Sequence, residues 1–256
     1  MSAIDMSGLR TSAFETSNAL EKMSGERSAV RQVKVDHRAA TRQAIIATLR
    51  REGVTVKTRS EWKAREVDAS RSDGPDWDYH SIVLHHAGNS YSCQHDETAS
   101  LRRAEATDIE KFGHLSYHFA VGCSGTIYEA LDIRYKGAHV SGGNTGKIGI
   151  VLLADLSLPG EAYTQEYAEK GPLGKLTGSP DWVSDSADSS FDTTTSVQDS
   201  ALAALVASLK KYFPIKVLGG HREFQRLATN EGRACPGANG MIAVGSLRTR
   251  YGLRAP

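Results

Sequence analysis

The amino-acid sequence predicts an α/β fold, a single mixed β-sheet flanked by helices and preceded by a partly helical N-terminal extension. Three observations predict it. The runs Ser81-Ile-Val-Leu-His-His86 and Lys147-Ile-Gly-Ile-Val-Leu-Leu-Ala154 are short, apolar and β-branched, the pattern of buried strands. Tyr117–Val121 and Thr126–Ala130 flank the turn Gly122-Cys-Ser-Gly125, at the spacing of a β-hairpin. Between these runs lie segments with apolar residues at helical spacing, and strands mixed with helices in this way share one sheet.

Taken in order, residues 1–54 are polar, rich in Ser, Arg, Ala and Glu, and contain no proline. Val30–Arg51 carries a helical pattern with Val33, Val35, Ile45, Ile46 and Leu49 as its apolar positions, whereas the first thirty residues carry little pattern. This segment reads as a partly helical or disordered extension rather than a second domain. The compact domain is expected over 55–256. Gln94–Phe112 predicts a helix with Leu101, Ile109 and Phe112 on one face and Gly113 as its stop. Ser157–Ser200 is rich in Ser, Thr, Gly and Asp and holds Glu161, Glu166, Glu169, Asp181, Asp185, Asp188, Asp192 and Asp199 against Lys170 and Lys175. Such a stretch buries little apolar surface and reads as an acidic surface insertion. Asp199 or Ser200 then caps a helix with Leu202, Leu205, Val206, Leu209 and Phe213 on its apolar face, ended by Pro214. Ile215–Leu218 returns as a strand and delivers Gly219-Gly-His221.

Composition sets limits on function. The chain has 256 residues, 39% hydrophobic and 24% charged, enough to bury a core. A net charge of +1 provides no field that attracts nucleic acid or an anionic membrane. No apolar run reaches the ~18 residues of a membrane span, and the first residues lack the apolar stretch of a secretory signal peptide, so synthesis in the cytoplasm is expected. The three cysteines, Cys93, Cys123 and Cys235, are a poor disulfide framework, and the sequence leaves open whether Cys93 and Cys123 pair.

The chemistry-bearing residues cluster late in the predicted strands. A hydrolytic zinc site needs three N, S or O ligands on rigid supports and one open position. His85 or His86 at one strand end, His221 at another, and Cys235 in Arg-Ala-Cys-Pro-Gly could supply them. A lone strand-end histidine is more often a hydrogen-bonded structural residue, and an isolated cysteine a small buried hydrophobe.

Ile82-Val-Leu-His-His-Ala-Gly88, Leu115-Ser-Tyr-His-Phe-Ala-Val121, Gly137-Ala-His-Val-Ser-Gly-Gly-Asn144, Ile148-Gly-Ile150 and Gly220-His-Arg-Glu223 with Cys235-Pro-Gly237 change that reading. In this order the chain resembles the type 2 N-acetylmuramoyl-L-alanine amidases, a family that includes the peptidoglycan recognition proteins. The resemblance runs from Val56 to Leu253, and Thr58-Arg-Ser-Glu-Trp62 looks like the opening of a recognition-protein domain. It implies the amidase and recognition-protein fold, zinc on His85, His221 and Cys235, and hydrolysis of the amide joining the lactyl group of N-acetylmuramic acid to L-alanine. It further implies that Tyr117 orients water or the substrate carbonyl, and that His139 and Asn144 contact the muramyl peptide. Arg233 stands where active relatives carry Lys or Thr; it can stabilise an oxyanion by charge but cannot act as a general acid. Strand alternation turns His86 away from His85, toward the core or the groove wall, where it would meet substrate. Glu223 is either an outer partner of a ligand imidazole or half of a surface ion pair.

Two departures from the family pattern stand out. His221 and Cys235 are farther apart than usual, which makes Gln225–Gly232 an extra loop, and no second cysteine follows closely on Cys93 to form the short-range disulfide common in recognition proteins. The competing reading is a module that binds peptidoglycan without cutting it. As an enzyme the protein would degrade cell wall as an antibacterial effector or endolysin, reaching the periplasm or wall by injection or lysis. An immunity or delivery protein would then be its candidate partner.

Overall fold

The computed structural model describes residues 13–16, 31–34, 36–88, 91–166 and 191–256. Two short strands, β1 (Ala13–Thr16) and β2 (Arg31–Lys34), pair antiparallel. The helix expected from Val30 instead begins later, as α1 (His37–Arg51). Its start is set by Asp36, whose carboxylate accepts from the backbone N–H groups of Arg38 and Ala39 at 3.0 and 3.3 Å, a cap worth about 1 kcal/mol. Val30 and Val35 lie outside the described residues.

The main sheet has six strands, β3 (Val56–Lys57), β4 (Ser81–His86), β5 (Phe119–Val121), β6 (Ile127–Glu129), β7 (Lys147–Leu152) and β8 (Val217–Gly220), in the spatial order β3-β6-β5-β7-β4-β8. The expected hairpin β5–β6 is antiparallel and the other pairings are parallel, so the sheet is mixed as the sequence predicts. The helices that flank it are α2 (Glu97–Phe112), α3 (Glu161–Glu166), α4 (Ser196–Tyr212), α5 (His221–Thr229) and α6 (Gly237–Tyr251).

Helix α2 starts at its Asp96 cap and stops at Gly113, which takes a left-handed φ of 75°. Helix α4 begins earlier than expected, because the Thr195 hydroxyl accepts from the Gln198 N–H at 3.1 Å and caps it there. Helix α6 has no counterpart in the sequence reading.

Strand alternation divides the core. Ile82, Leu84, Ile148, Ile150 and Leu152 face one side, where they pack with Ile45 and Leu49 of α1, Leu202, Leu205 and Leu209 of α4, and Val244 and Leu247 of α6. Val83, Ala120, Tyr128 and Val151 face the other, against Trp62, Leu101, Val140 and Phe224. Each such Leu or Ile, wholly removed from water, contributes about 1.5–3 kcal/mol. Helix α1, from the segment read as an extension, therefore has its buried face in the main core. It is also tied there by Arg42, whose guanidinium bonds the buried Glu129 carboxylate at 2.5 Å through its Nη2.

Cys93 and Cys123 form a disulfide across 30 residues, which settles the pairing the sequence left open. It ties the approach to α2 to the β5–β6 turn. Of the acidic segment, residues 167–190 lie outside the described residues. Two of its acids are internal acceptors rather than solvated charges. Glu161 takes the N–H groups of Leu158 and Ala238, each at 2.8 Å, and Asp192 takes those of Cys93 and Asp155 at 3.2 and 3.3 Å. Among the described residues no helix is long and apolar enough to cross a membrane.

Candidate metal centre and cleft

The register of the central strands sets the position of the site. In β4 the residues 82, 84 and 86 share the α1/α4 face, so His85 points the opposite way, beside Val83. Strand β8 runs parallel to β4 with Leu84 opposite Gly220, so His221, the next residue, emerges beside His85. Their ring centroids are 4.6 Å apart.

Cys235 joins them although it lies fourteen positions beyond His221. The intervening segment is not an extra loop: Gln225–Thr229 continue helix α5, which ends at Asn230 in a left-handed turn, φ 58°. The chain then doubles back, and the Cys235 carbonyl accepts from the Arg222 N–H at 2.8 Å. The Arg222 guanidinium bonds the Ala234 carbonyl and Glu161. Pro236, after a cis peptide bond, packs on the end of β8, where Gly220 is required: a Cβ there would lie 2.6 Å from the Pro236 Cδ and 2.5 Å from the Met241 sulfur.

The outcome is a cluster in which one ligand atom each from His85, His221 and Cys235 lies within 4.8 Å of the others. The Cys235 sulfur is 3.5 Å from Nδ1 of His85. Burial holds the His85 imidazole well below its ordinary pKa, reinforced by the neighbouring His221, His139 and His86. Burial pushes His221 down to about 4, opposed by its bond to Gln225 and assisted by the positive Arg233. Both rings are therefore neutral near pH 7, the form that ligates metal. Two imidazoles and a thiol on separate rigid elements are a donor set that suits zinc. These residues fit that metal.

The other expected site residues divide into two groups. Tyr117, just before β5, sits over His85 with ring centroids 4.8 Å apart, and burial raises its pKa so that the hydroxyl keeps its proton. His139, which the family resemblance assigns to substrate contact, is buried, and its Nδ1 lies 3.2 Å from Nε2 of His85. It braces the cluster from behind. Its ring lies against Gly149 of β7, where a Cβ would approach to 2.5 Å. Asn144 uses its side-chain oxygen to accept from the N–H groups of His139 and Val140 at 2.9 and 2.7 Å, which folds the 138–144 loop.

His86 is turned away from the cluster. Its Nδ1 accepts from the Leu156 N–H at 3.0 Å, with burial pushing its pKa to about 4, and it is not among the residues that line the cleft. Glu223 touches neither imidazole in a hydrogen bond: it accepts from the Gly220 N–H at 2.9 Å and pairs with Arg248 at 2.5 Å. Its bond to Gly220 fixes the backbone that presents His221. Arg233 lies on the cleft wall and pairs with Glu231 at 3.1 Å.

A cleft of about 390 Å³ reaches the cluster at His221 and is lined also by His139, Ser141, Asn144, Gln225 and Arg233 and by Arg71, Asp73, Phe112 and His114. Gln225 is the residue that sequence reasoning missed. It is fully buried and bonds His221 Nε2 at 3.2 Å. The i,i+4 spacing from His221 was the available signal, and it was masked by reading the segment as loop.

Residues 75–238 match the family model described as N-acetylmuramoyl-L-alanine amidase. The chain is similar to peptidoglycan-recognition protein SC2 of Drosophila simulans, 29% identical over 123 residues, which is 47% of this chain and 66% of that one. It is also similar to peptidoglycan recognition protein 3 of Homo sapiens, 31% identical over 97 residues, 37% of this chain and 28% of that one. The matched region thus spans less than two thirds of either relative. Among solved structures, recognition protein LE in complex with tracheal cytotoxin, a monomeric diaminopimelic acid-type peptidoglycan, superposes with a TM-score of 0.54 at 17% identity, covering 78% of this chain and 96% of that one. Drosophila recognition protein SD gives 0.52 at 17% identity, covering 78% and 97%. These two likenesses establish the fold.

Proposed function

The chain belongs to the N-acetylmuramoyl-L-alanine amidase family, and from that premise we propose that it is a zinc-dependent amidase of bacterial peptidoglycan. Its substrate bond would be the amide between the lactyl group of N-acetylmuramic acid and L-alanine, with the glycan strand left intact. The observation that carries this reading is the convergence of His85, His221 and Cys235, with all three ligand atoms inside 4.8 Å.

These residues would hold the metal. Zinc, when bound, supplies Lewis-acid polarisation of the amide carbonyl and acidifies a water molecule. The chain's own groups do the rest. Tyr117 stays protonated and can donate a hydrogen bond to an oxygen that gains negative charge. The Arg233 guanidinium would support the same oxygen electrostatically from the cleft wall. His139 holds the His85 ring from behind, and Asn144 keeps the 138–144 loop shaped against the cleft. The stem peptide would lie in the cleft lined by His114, Asn144 and Arg233. The biological setting we infer is attack on a bacterial wall, as an effector or an endolysin, with the N-terminal extension and the acidic segment as the contact regions for a delivery or immunity protein.

Several relatives bear the name of recognition proteins, which favours one second reading, binding without cleavage. Mass spectrometry of purified sacculi digested with the zinc-loaded protein separates the two. Cleavage predicts free stem peptides that begin with L-alanine alongside intact glycan chains, and loss of the free stem peptides in Cys235→Ser. Sacculi that bind the protein yet give no free stem peptides would support the recognition reading and sink the amidase one.

A further inference from the structure

The side-chain amide of Gln225 is wholly buried between a candidate metal ligand and the cleft wall. Its Oε1 accepts from the Ser141 N–H at 3.0 Å, and its Nε2 donates to the Ser141 carbonyl at 3.3 Å and to the Thr229 hydroxyl at 2.7 Å. These partners fix the orientation of the amide. A backbone N–H can only donate and a backbone carbonyl can only accept, so the atom facing Ser141 N must be the oxygen. The same oxygen lies 3.2 Å from Nε2 of His221. A carbonyl oxygen cannot donate, so that nitrogen must carry the proton.

We propose that Gln225 is a positioning residue that locks His221 as its Nε2–H tautomer and so reserves Nδ1 for the metal. The inference rests on the zinc reading and deepens it. His85 is arranged in parallel: its Nε2 faces His139 and its Nδ1 faces the Cys235 sulfur. Both imidazoles thus offer Nδ1, each with its far nitrogen held by a buried polar group. Metal-bound histidines commonly have such a partner, whose loss costs about 10–100-fold in metal affinity. Gln225 does one thing more. Because a single amide grips both His221 and the backbone of Ser141, the metal ligand and the 138–144 wall of the cleft are held in register by one side chain.

Two substitutions separate positioning from mere packing. Gln225→Met keeps the volume but removes every polar contact. Gln225→Glu keeps an acceptor for His221 and for the Ser141 N–H, but sets a second oxygen against the Ser141 carbonyl. In the full chain, zinc affinity is measured by competition with a chromophoric chelator, thermal stability in parallel, and the histidine tautomers from two-bond ¹⁵N–¹H spectra of the metal-free protein. The expected result is His221 as Nε2–H in the wild type and in Gln225→Glu, and a mixed tautomer in Gln225→Met. Zinc affinity falls about 10–100-fold in Gln225→Met. In Gln225→Glu it is retained or tightened although thermal stability drops. Should Gln225→Met fail to fold, the wild-type tautomer and the Gln225→Glu affinity still decide. Nδ1–H at His221 in the wild type overturns the proposal, and so does an affinity in Gln225→Glu that falls in step with stability. A wild type that binds no zinc at all would instead overturn the amidase reading, a different outcome from zinc binding that ignores Gln225.

Discussion

Replacing Gly149 by alanine tests the packing behind the metal cluster with one carbon atom. The added Cβ would lie 2.5 Å from Cδ2 of His139 and 2.8 Å from its Cγ and Nε2, roughly 1 Å inside ordinary contact. The ring cannot yield cheaply, because His139 is itself only 6% exposed and its Nδ1 is engaged with His85 at 3.2 Å. Overpacking a core position costs about 1–3 kcal/mol. Displacing the ring by that ångström also breaks the bond to His85, and an unsatisfied buried nitrogen adds about 1–3 kcal/mol. The expected loss is therefore about 2–6 kcal/mol, and at about 2–4 °C per kcal/mol for a chain of this size the midpoint falls by roughly 4–24 °C. Urea denaturation measures the first quantity and scanning calorimetry the second. Zinc affinity should fall alongside, because His85 loses its brace. Stability within about 0.5 kcal/mol of wild type, the range of a neutral surface change, together with unchanged zinc affinity, would refute this account of β7 and His139.

Three further outcomes are expected. His118, fully buried, accepts from the Gly149 N–H at 3.0 Å and has its pKa pushed by burial to about 4. Its unfolded value is near 6.5, so its contribution is complete above about pH 6.5 and is lost as pH falls toward 4. At ~1.4 kcal/mol per pKa unit this is on the order of 3 kcal/mol, and His118→Asn should flatten that part of the stability–pH curve while lowering stability at pH 7. Removal of the Cys93–Cys123 bridge by a double change to serine should cost about 3–4 kcal/mol by loop-closure entropy across its 30-residue span, with zinc affinity unmoved because Cys235 stands outside it; urea midpoints and chelator competition report the two. Arg42→Met leaves the Glu129 carboxylate, which is 2% exposed, without its charged partner, though still accepting from the Arg59 N–H at 3.1 Å, and should destabilise by about 3–5 kcal/mol in urea titrations; a change below 1 kcal/mol would mean that α1 is not fastened to the sheet as described.

What could be read from the sequence was what depends on period. The alternation along Ser81–His86 lets only one of the two histidines join the cluster, the resemblance implies that it is His85, and the structure turns His86 away to the Leu156 N–H. The β5–β6 hairpin and α2 follow from a glycine turn and a glycine stop. The rest depended on contacts between distant segments. Helix α5 was hidden because its nine residues bury Phe224 beside the polar Gln225, so its inner face has no continuous apolar stripe. Helix α6 was hidden by Gly237, Gly240 and Gly245, which lower helix propensity. The structure uses Gly240 for close approach, since a Cβ there would meet Pro236 at 2.8 Å. No local pattern could pair Cys93 with Cys123, because the partners meet only when the approach to α2 crosses the hairpin turn. Of the two roles the sequence left open for Glu223, the structure shows the ion pair, with Arg248, and adds a bond to the Gly220 N–H in place of one to a ring.

The cost of the cluster bears on what it is for. Two imidazoles with centroids 4.6 Å apart, a third ring at 5.1 Å from His85, and a sulfur at 3.5 Å are gathered in a largely dry setting. Burial of polar groups destabilises unless each is satisfied, and apolar side chains of similar volume would pack this corner at lower cost. A groove that only grips wall fragments could do so with the loop that Asn144 shapes, with Arg233, and with the polar side chains near His114. It would have no use for a thiol brought fourteen residues back to a histidine. Bringing it back takes the left-handed Asn230, the Arg222 clamp on the Ala234 carbonyl, the Glu161 carboxylate beneath, and a proline seated on Gly220. Local structure that costs stability and converges on three ligand atoms is the signature of a functional site. That expense is the physical argument for a metal-dependent reaction over recognition alone, and the digestion of sacculi by wild type against Cys235→Ser is its direct test.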